Sequence, residues 1–284
     1  MDIITVNVGQ GALAIVRHNG EAILVDSRVP PADSSMIAYV KDLLGVVLKG
    51  CQVKGLIFTG FEDDPCDTAC ASMILRTYRP DWVMHPKYYK ESDEAKLVFA
   101  LIKEEERARR ASARPLGKAA MRLEQVTRRA FGGLSDHFEF ELFSPHMKDI
   151  DGSGGCGIVL KLTGRGLGGF SYLITGNTGN DRWETISGLF GTALKSDVLA
   201  APYHGSKDAL HPTALAQISP HTVLISAGVE NQFGHPDPEA LAVYGRIARH
   251  VFSTNMEGGV SLLTQPKNGA LTTTLIPVVK PSPN

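Results

Sequence analysis

Two histidines stand just past the ends of apolar runs, where side chains can do chemistry. His204 lies in Pro202-Tyr203-His204-Gly205-Ser206, directly after Asp197-Val198-Leu199-Ala200-Ala201. His235 lies in Gly234-His235-Pro236, about thirty residues further on. An imidazole on a loop anchored by a strand can hold a metal ion or move a proton. A second group is acidic: Glu62, Asp63, Asp64 and Asp67 follow the apolar run Gly55-Leu56-Ile57-Phe58-Thr59. Carboxylates at a strand end are oxygen ligands for a divalent cation. They also have a local use, because Asp64 before Pro65 can cap a helix and Asp67 would face the positive end of its dipole. Both readings of Asp64 stand at this point.

A third group is basic. Between residues 103 and 129, nine Lys and Arg, among them Lys103, Arg107, Arg109, Arg110, Arg114, Arg128 and Arg129, outnumber four Glu. Such an excess can hold phosphates. Aromatic residues for base stacking are absent from it, so a solvated helix face is the competing reading.

The elements that must position these groups follow from periodicity. Residues 3 to 8, 13 to 17 and 22 to 26 read as three strands of a β-meander, with turns at Gly9-Gln10-Gly11 and His18-Asn19-Gly20. Apolar positions 36, 37, 40, 43, 44, 47 and 48 predict an amphipathic helix. Strand 55–59 is apolar on both faces, a helix runs on to about Tyr78, and a strand follows at 81–84. Residues 91–130 read as a polar helical insertion, with one helix through Lys103–Arg110 and a second from about Ala119 to Arg129. The second half repeats the scheme, with strands near 137–143, 158–162, 170–174, 197–201 and 222–226 and helices near 183–194, 212–218 and 238–248. Short strands close the chain near 251, 260–263 and 271–276. This order predicts two β-sheets packed face to face with helices outside, in one domain over residues 1–284.

Composition narrows the function classes. The 284 residues are 43% hydrophobic and 21% charged, with a net charge of −1, so no global field draws the chain to nucleic acid or to a membrane. The longest apolar stretch, Met36 to Leu48, is broken by Lys41 and Asp42 and is too short to span a bilayer. Four scattered cysteines and no secretory pattern predict a cytoplasmic protein without a disulfide framework. Cys66 and Cys70 have helical spacing without a second Cys/His pair, which predicts core thiols rather than a zinc site.

Several motifs, in order along the chain, carry a resemblance. Val6-Asn7-Val8-Gly9-Gln10-Gly11, Ile23-Leu24-Val25-Asp26, Tyr172-Leu173-Ile174-Thr175-Gly176-Asn177, the His204 segment and Phe233-Gly234-His235-Pro236 resemble the metallo-β-lactamase superfamily. Within it they resemble in particular the metallo-β-lactamase-like domain of the DNA-uptake protein ComEC. The resemblance implies an α/β fold, a four-layer αβ/βα sandwich with its site at strand ends along one edge. Active members hold two metal ions through His-x-His-x-Asp-His, an Asp ending Thr-Gly-Asp, and further histidines. Those positions fall here on Gly60, Glu62, Asp64, Pro65 and Asn177, whereas His204 and His235 remain; Tyr203 stands where relatives often carry another His.

Charge then decides. A two-ion centre needs carboxylates and a bridging hydroxide to offset four positive charges. With Asn177 neutral and Gly60 and Pro65 unable to ligate, the expectation is no metal at all, or one divalent ion on Glu62, Asp64 and His204, with Asn177 beside it. Oxygen donors would favour Mn²⁺ or Mg²⁺ over Zn²⁺. The expected function is a non-hydrolytic binding or regulatory subunit with a partner protein. The alternative is a one-metal phosphodiesterase or nuclease, with His204 and His235 at its catalytic site. Nucleic-acid binding through the basic segment is a third expectation.

Overall fold

In a strand covered on both faces, alternate residues enter two different cores, and this chain sorts them cleanly. Ile3, Val16, Ile23 and Val25 point one way and Ile4, Ile15 and Leu24 the other, all at most 4% exposed. A computed structural model of the protein describes residues 1–28, 34–61, 68–87, 93–121, 132–145 and 157–277. Glu62, Asp64, Cys66, Arg128, Arg129 and Cys156 lie outside the described residues.

The first sheet contains β1 (Asp2–Thr5), β2 (Ala14–His18), β3 (Glu21–Val25), β4 (Gln52–Ile57), β5 (Trp82–Pro86), β6 (Gly117–Met121), β13 (Val260–Lys267) and β14 (Ala270–Pro277). Their order is β14-β13-β1-β2-β3-β4-β5-β6. The second sheet contains β7 (Phe138–Ser144), β8 (Val159–Gly164), β9 (Ser171–Ile174), β10 (Val198–Ala200), β11 (Thr222–Ile225) and β12 (His250–Ser253), in the order β12-β11-β10-β9-β8-β7. Strands β3 to β6 run parallel, and so do β9 to β12. Parallel neighbours need crossover connections, and each crossover here carries a helix on the outer face. These are α1 (Ser34–Val47), α2 (Thr68–Met73) and α3 (Asp93–Arg109) on the first sheet, and α4 (Asn180–Phe190), α5 (Pro212–Ile218) and α6 (Pro238–Ile247) on the second.

Three apolar layers result. Val40, Leu44, Cys70, Ile74 and Val98 from the first helices pack on Ile15, Leu24 and Leu56. Ile3, Val16, Trp82 and Met84 meet Phe140, Leu160, Tyr172 and Leu224 between the sheets. Trp183, Ile186, Leu215 and Tyr244 cover Leu199, Val223 and Ile225. The architecture is the αβ/βα sandwich, and the buried Cys70 is a core thiol as expected. Among the described residues, no helix is long and apolar enough to cross a membrane.

The expectation of a second helix from about Ala119 to Arg129 fails at residues 119–121, and residues 122–129 lie outside the described residues. Gly117–Met121 is a strand paired in parallel with β5 along its whole length, from Trp82↔Gly117 to Pro86↔Met121. Pairing with an open sheet edge overrides the helical preference of Lys118, Ala119 and Ala120. The preceding helix is not merely an exposed polar face either, because Ala95, Val98, Leu101, Ile102, Glu105 and Arg109 of α3 are all buried.

Candidate functional site

Parallel strands end together, so the carboxyl ends of β3, β4, β9, β10 and β11 bring their following residues to one edge of the sandwich. Asp26 follows β3, Thr59 follows β4, Gly176 and Asn177 follow β9, His204 follows β10 and Ser226 follows β11. Within the second sheet the Tyr203 amide donates to the Gly176 carbonyl at 3.0 Å, and the two sheets are tied together there by the Ile158 amide, which donates to the Thr59 carbonyl at 2.6 Å. Between them opens a cleft enclosing about 580 Å³ of empty space, its mouth included. Its walls are mainly apolar, with Thr5, Asp26, Thr59, Asn177, His204 and Ser226 among the polar members.

Asp26 closes β3 in a left-handed backbone conformation, φ +58°. Its Oδ1 accepts from the Thr59 amide at 2.7 Å and from the Thr59 hydroxyl at 3.0 Å, and its Oδ2 lies 2.8 Å from the same hydroxyl. Burial pushes the carboxyl up from 3.8 to about 7, with the Thr59 hydrogen bonds opposing that rise. The sequence motif contained this residue, but neither Asp26 nor Thr59 was among the expected site residues. The available signal was a carboxylate directly after Ile23-Leu24-Val25, since an acid in wholly apolar company is informative.

His204 and Tyr203 are consecutive left-handed residues, φ +56° and +52°. This conformation is costly for a bulky side chain and is held by the surrounding frame. The His204 Nδ1 lies 2.8 Å from the Ser226 carbonyl, which can only accept. In the neutral ring Nδ1 therefore carries the hydrogen, and Nε2 keeps its lone pair. The neighbouring loop locks this turn: the Asp237 amide donates to the Gly205 carbonyl at 2.9 Å, and the Lys207 amide donates to Asp237 Oδ2 at 2.8 Å.

His235 stands on the rim, outside the residues that line the cleft. Its ring stacks on Phe233 at 5.8 Å and meets Tyr203 edge-on at 6.3 Å. Asn231 fixes the loop, with its Oδ1 accepting from the amides of Phe233 and His235. Of the residues expected at the site, the structure thus brings His204 and Asn177 into one cleft and sets His235 beside it.

The donor set decides what metal chemistry the described residues can support. They contain no group of three or more His, Cys, Asp or Glu placed to hold an ion. The cleft offers the His204 imidazole, the neutral Asn177 amide and the Asp26 carboxyl, whose two oxygens are both engaged by Thr59. That set does not fit a two-ion centre, which needs several anionic ligands.

The basic segment is partly structural. Lys103, Arg107 and Arg110 are exposed. Arg114 pairs with Asp81 at 2.5 Å and Lys118 with Glu106 at 2.6 Å. Arg109 is 2% exposed and donates to the Pro80 carbonyl at 2.8 Å and the Arg114 carbonyl at 3.0 Å. A buried guanidinium committed to carbonyls is unavailable to phosphate. Arg109→Ala is expected to lower unfolding free energy by about 2 kcal/mol, as measured in urea, because the buried Pro80 carbonyl and the part-buried Arg114 carbonyl lose their donor.

Comparison with known proteins agrees with this geometry. No protein-family model matches the chain. Its fold is the metallo-β-lactamase fold. The metallo-β-lactamase fold protein YhfI from Bacillus subtilis superposes with a TM-score of 0.50 at 10% identity, covering 92% of this chain and 99% of that one. Igni18, a metallo hydrolase from Ignicoccus hospitalis KIN4/I, gives 0.50 at 14% identity over 94% and 100%. In sequence the chain is similar to curated competence and recombination proteins. It is 24% identical to ComE operon protein 3 of Bacillus subtilis (strain 168) over 209 residues, 74% of this chain and 24% of that protein. It is 32% identical to competence protein ComA of Neisseria gonorrhoeae over 138 residues, 48% and 18% respectively. Recombination protein 2 of Haemophilus influenzae is 25% identical over 261 residues, 90% and 28%. The matches thus span less than a third of each relative's length.

Proposed function

We propose that this protein is a ComEC-like member of the fold whose site no longer hydrolyses and now serves as a binding or regulatory subunit for another protein in the cytoplasm. The observation that carries this reading is the commitment of Asp26 to Thr59 in a cleft whose other nitrogen and carboxylate-type ligands, among the described residues, are one imidazole and a neutral amide. Protein purified without chelator should contain well under one equivalent of transition metal by elemental analysis. It should turn over no member of a panel of phosphodiesters and lactams. Size-exclusion chromatography with light scattering against candidate partners tests the subunit role.

A second reading rests on the orientation of His204. A histidine that gives Nδ1–H to a carbonyl and presents Nε2 is arranged as metal-binding histidines are. With Glu62 and Asp64 as further ligands and His235 steadying the leaving group, one Mn²⁺ or Mg²⁺ could serve a phosphodiesterase or nuclease. One tight equivalent of metal, with DNA cleavage lost in His204→Ala, would establish this reading and overturn the first.

A further inference from the structure

We propose that the cleft beside His204 is a receptor site for a compact, uncharged ligand that carries a hydroxyl or amide group. The inference rests on the binding reading above and gives that site a ligand class. The first observation is the lining. Leu13, Ala14, Val25, Ile174 and Leu224 supply apolar wall from both sheets, and no Lys or Arg of the described residues lines the cleft. A phosphate or carboxylate entering there would lose its hydration without meeting a cation of the described residues. Small-molecule sites combine an apolar body with a few convergent polar groups, and this cleft has both.

The second observation is a polar atom awaiting a partner. Thr5, at the end of β1, lines the cleft and is 5% exposed, and its buried Oγ1 has no hydrogen-bond partner among the described residues. Buried hydroxyls are nearly always satisfied, so an orphan in a cleft marks the place of a missing donor or acceptor. A hydroxyl can give or take a hydrogen bond, which suits an alcohol or an amide and gives no advantage to an anion. A lone water is the simplest competitor, and the probes below separate it from an organic ligand.

The test uses two probes that share one body and differ in charge, benzyl alcohol and benzyl phosphate, followed in two-dimensional amide NMR spectra of the full chain. Benzyl alcohol at millimolar concentration should shift the amides of Thr5, Asp26 and Gly176, and benzyl phosphate should leave them in place. Thr5→Val keeps the shape, removes the hydroxyl, and should weaken benzyl alcohol about 2- to 10-fold. Ala12→Phe, placed at a half-exposed wall position, should abolish the shifts while the rest of the spectrum stays folded. Equal or tighter binding of benzyl phosphate overturns the proposal. So does the absence of shifts from either probe, the result expected if the cleft holds ordered water only. Metal analysis of the same sample separates the two readings. Bound metal overturns the non-hydrolytic reading, whereas metal-free protein that ignores benzyl alcohol overturns only the ligand class.

Discussion

Asp26→Asn is expected to flatten the pH dependence of folding stability and to leave the protein more stable than wild type at alkaline pH. The carboxyl is 3% exposed, and burial lifts it from 3.8 to about 7. Below about pH 4 the folded and unfolded chains both hold the proton, and burial carries no ionic penalty. As pH rises toward 7 the unfolded chain releases its proton, whereas the folded chain must keep it or bury a charge. Stability is therefore fully present below the unfolded value, falls through the window from about 4 to about 7, and levels off above it. The loss amounts to at most about 4 kcal/mol. Asn preserves the local bonds, since its oxygen can accept from the Thr59 amide and its NH₂ can donate to the Thr59 hydroxyl. It has no proton to lose. Urea unfolding should find the two proteins within about 1 kcal/mol near pH 4, with the variant ahead near pH 8. Parallel curves would mean that Asp26 ionises in the ordinary carboxylate range.

The layers were legible in the sequence because each parallel strand must hide two faces. Val198-Leu199-Ala200 and Leu56-Ile57-Phe58 announce strands covered on both sides, and the helical stripe from Met36 to Leu48 supplies one of the covers. Sheet order was not legible. No local pattern tells that Val260–Lys267, near the end of the chain, pairs with Asp2–Thr5 at its start. Residues 119–121 misled because Ala and Met favour helix in isolation, while the free edge of β5 is a tertiary fact. Arg109 misled for the reverse reason. Its charge reads as surface, but at i+4 from Glu105 it shares the buried face of α3 with Val98, Leu101 and Ile102.

The candidate site was half legible. Motif order located His204 and Asn177 and placed both at strand ends, and the structure joins them in one cleft. What the motifs could not convey is that the cleft's most perturbed acid belongs to β3 and is held from β4. Thr59 looked like the last residue of an apolar strand, and its role depends on a partner thirty-three residues away. Thr5 was equally hidden, because an unsatisfied hydroxyl exists only once both sheets surround it.

Gly176→Ala should cost about 3 kcal/mol of stability, and its effect should be coupled to that of Asp26→Asn. Read as part of a metal motif, Gly176 seemed incidental to the residue that follows it. In the structure it sets the approach of the second sheet to the first. A Cβ added there would lie 2.7 Å from Thr59 Oγ1 and 2.9 Å from Thr59 Cβ, and φ at this position is +52°. Overpacking of this kind costs about 1–3 kcal/mol, and a left-handed alanine adds about 1 kcal/mol. Thr59 cannot retreat without turning its hydroxyl away from Asp26, so the variant also disturbs the bonds that oppose burial of that charge. The Asp26 carboxyl should then titrate still higher, and the loss of stability should grow from about pH 5 to about pH 8. In a double-mutant cycle near pH 8, Gly176→Ala should cost at least about 0.5 kcal/mol less in the Asp26→Asn background than in wild type, because Asn177's neighbour then disturbs no ion. Strict additivity would show that the glycine serves packing alone and that the two sheets meet at this edge without sharing its electrostatics.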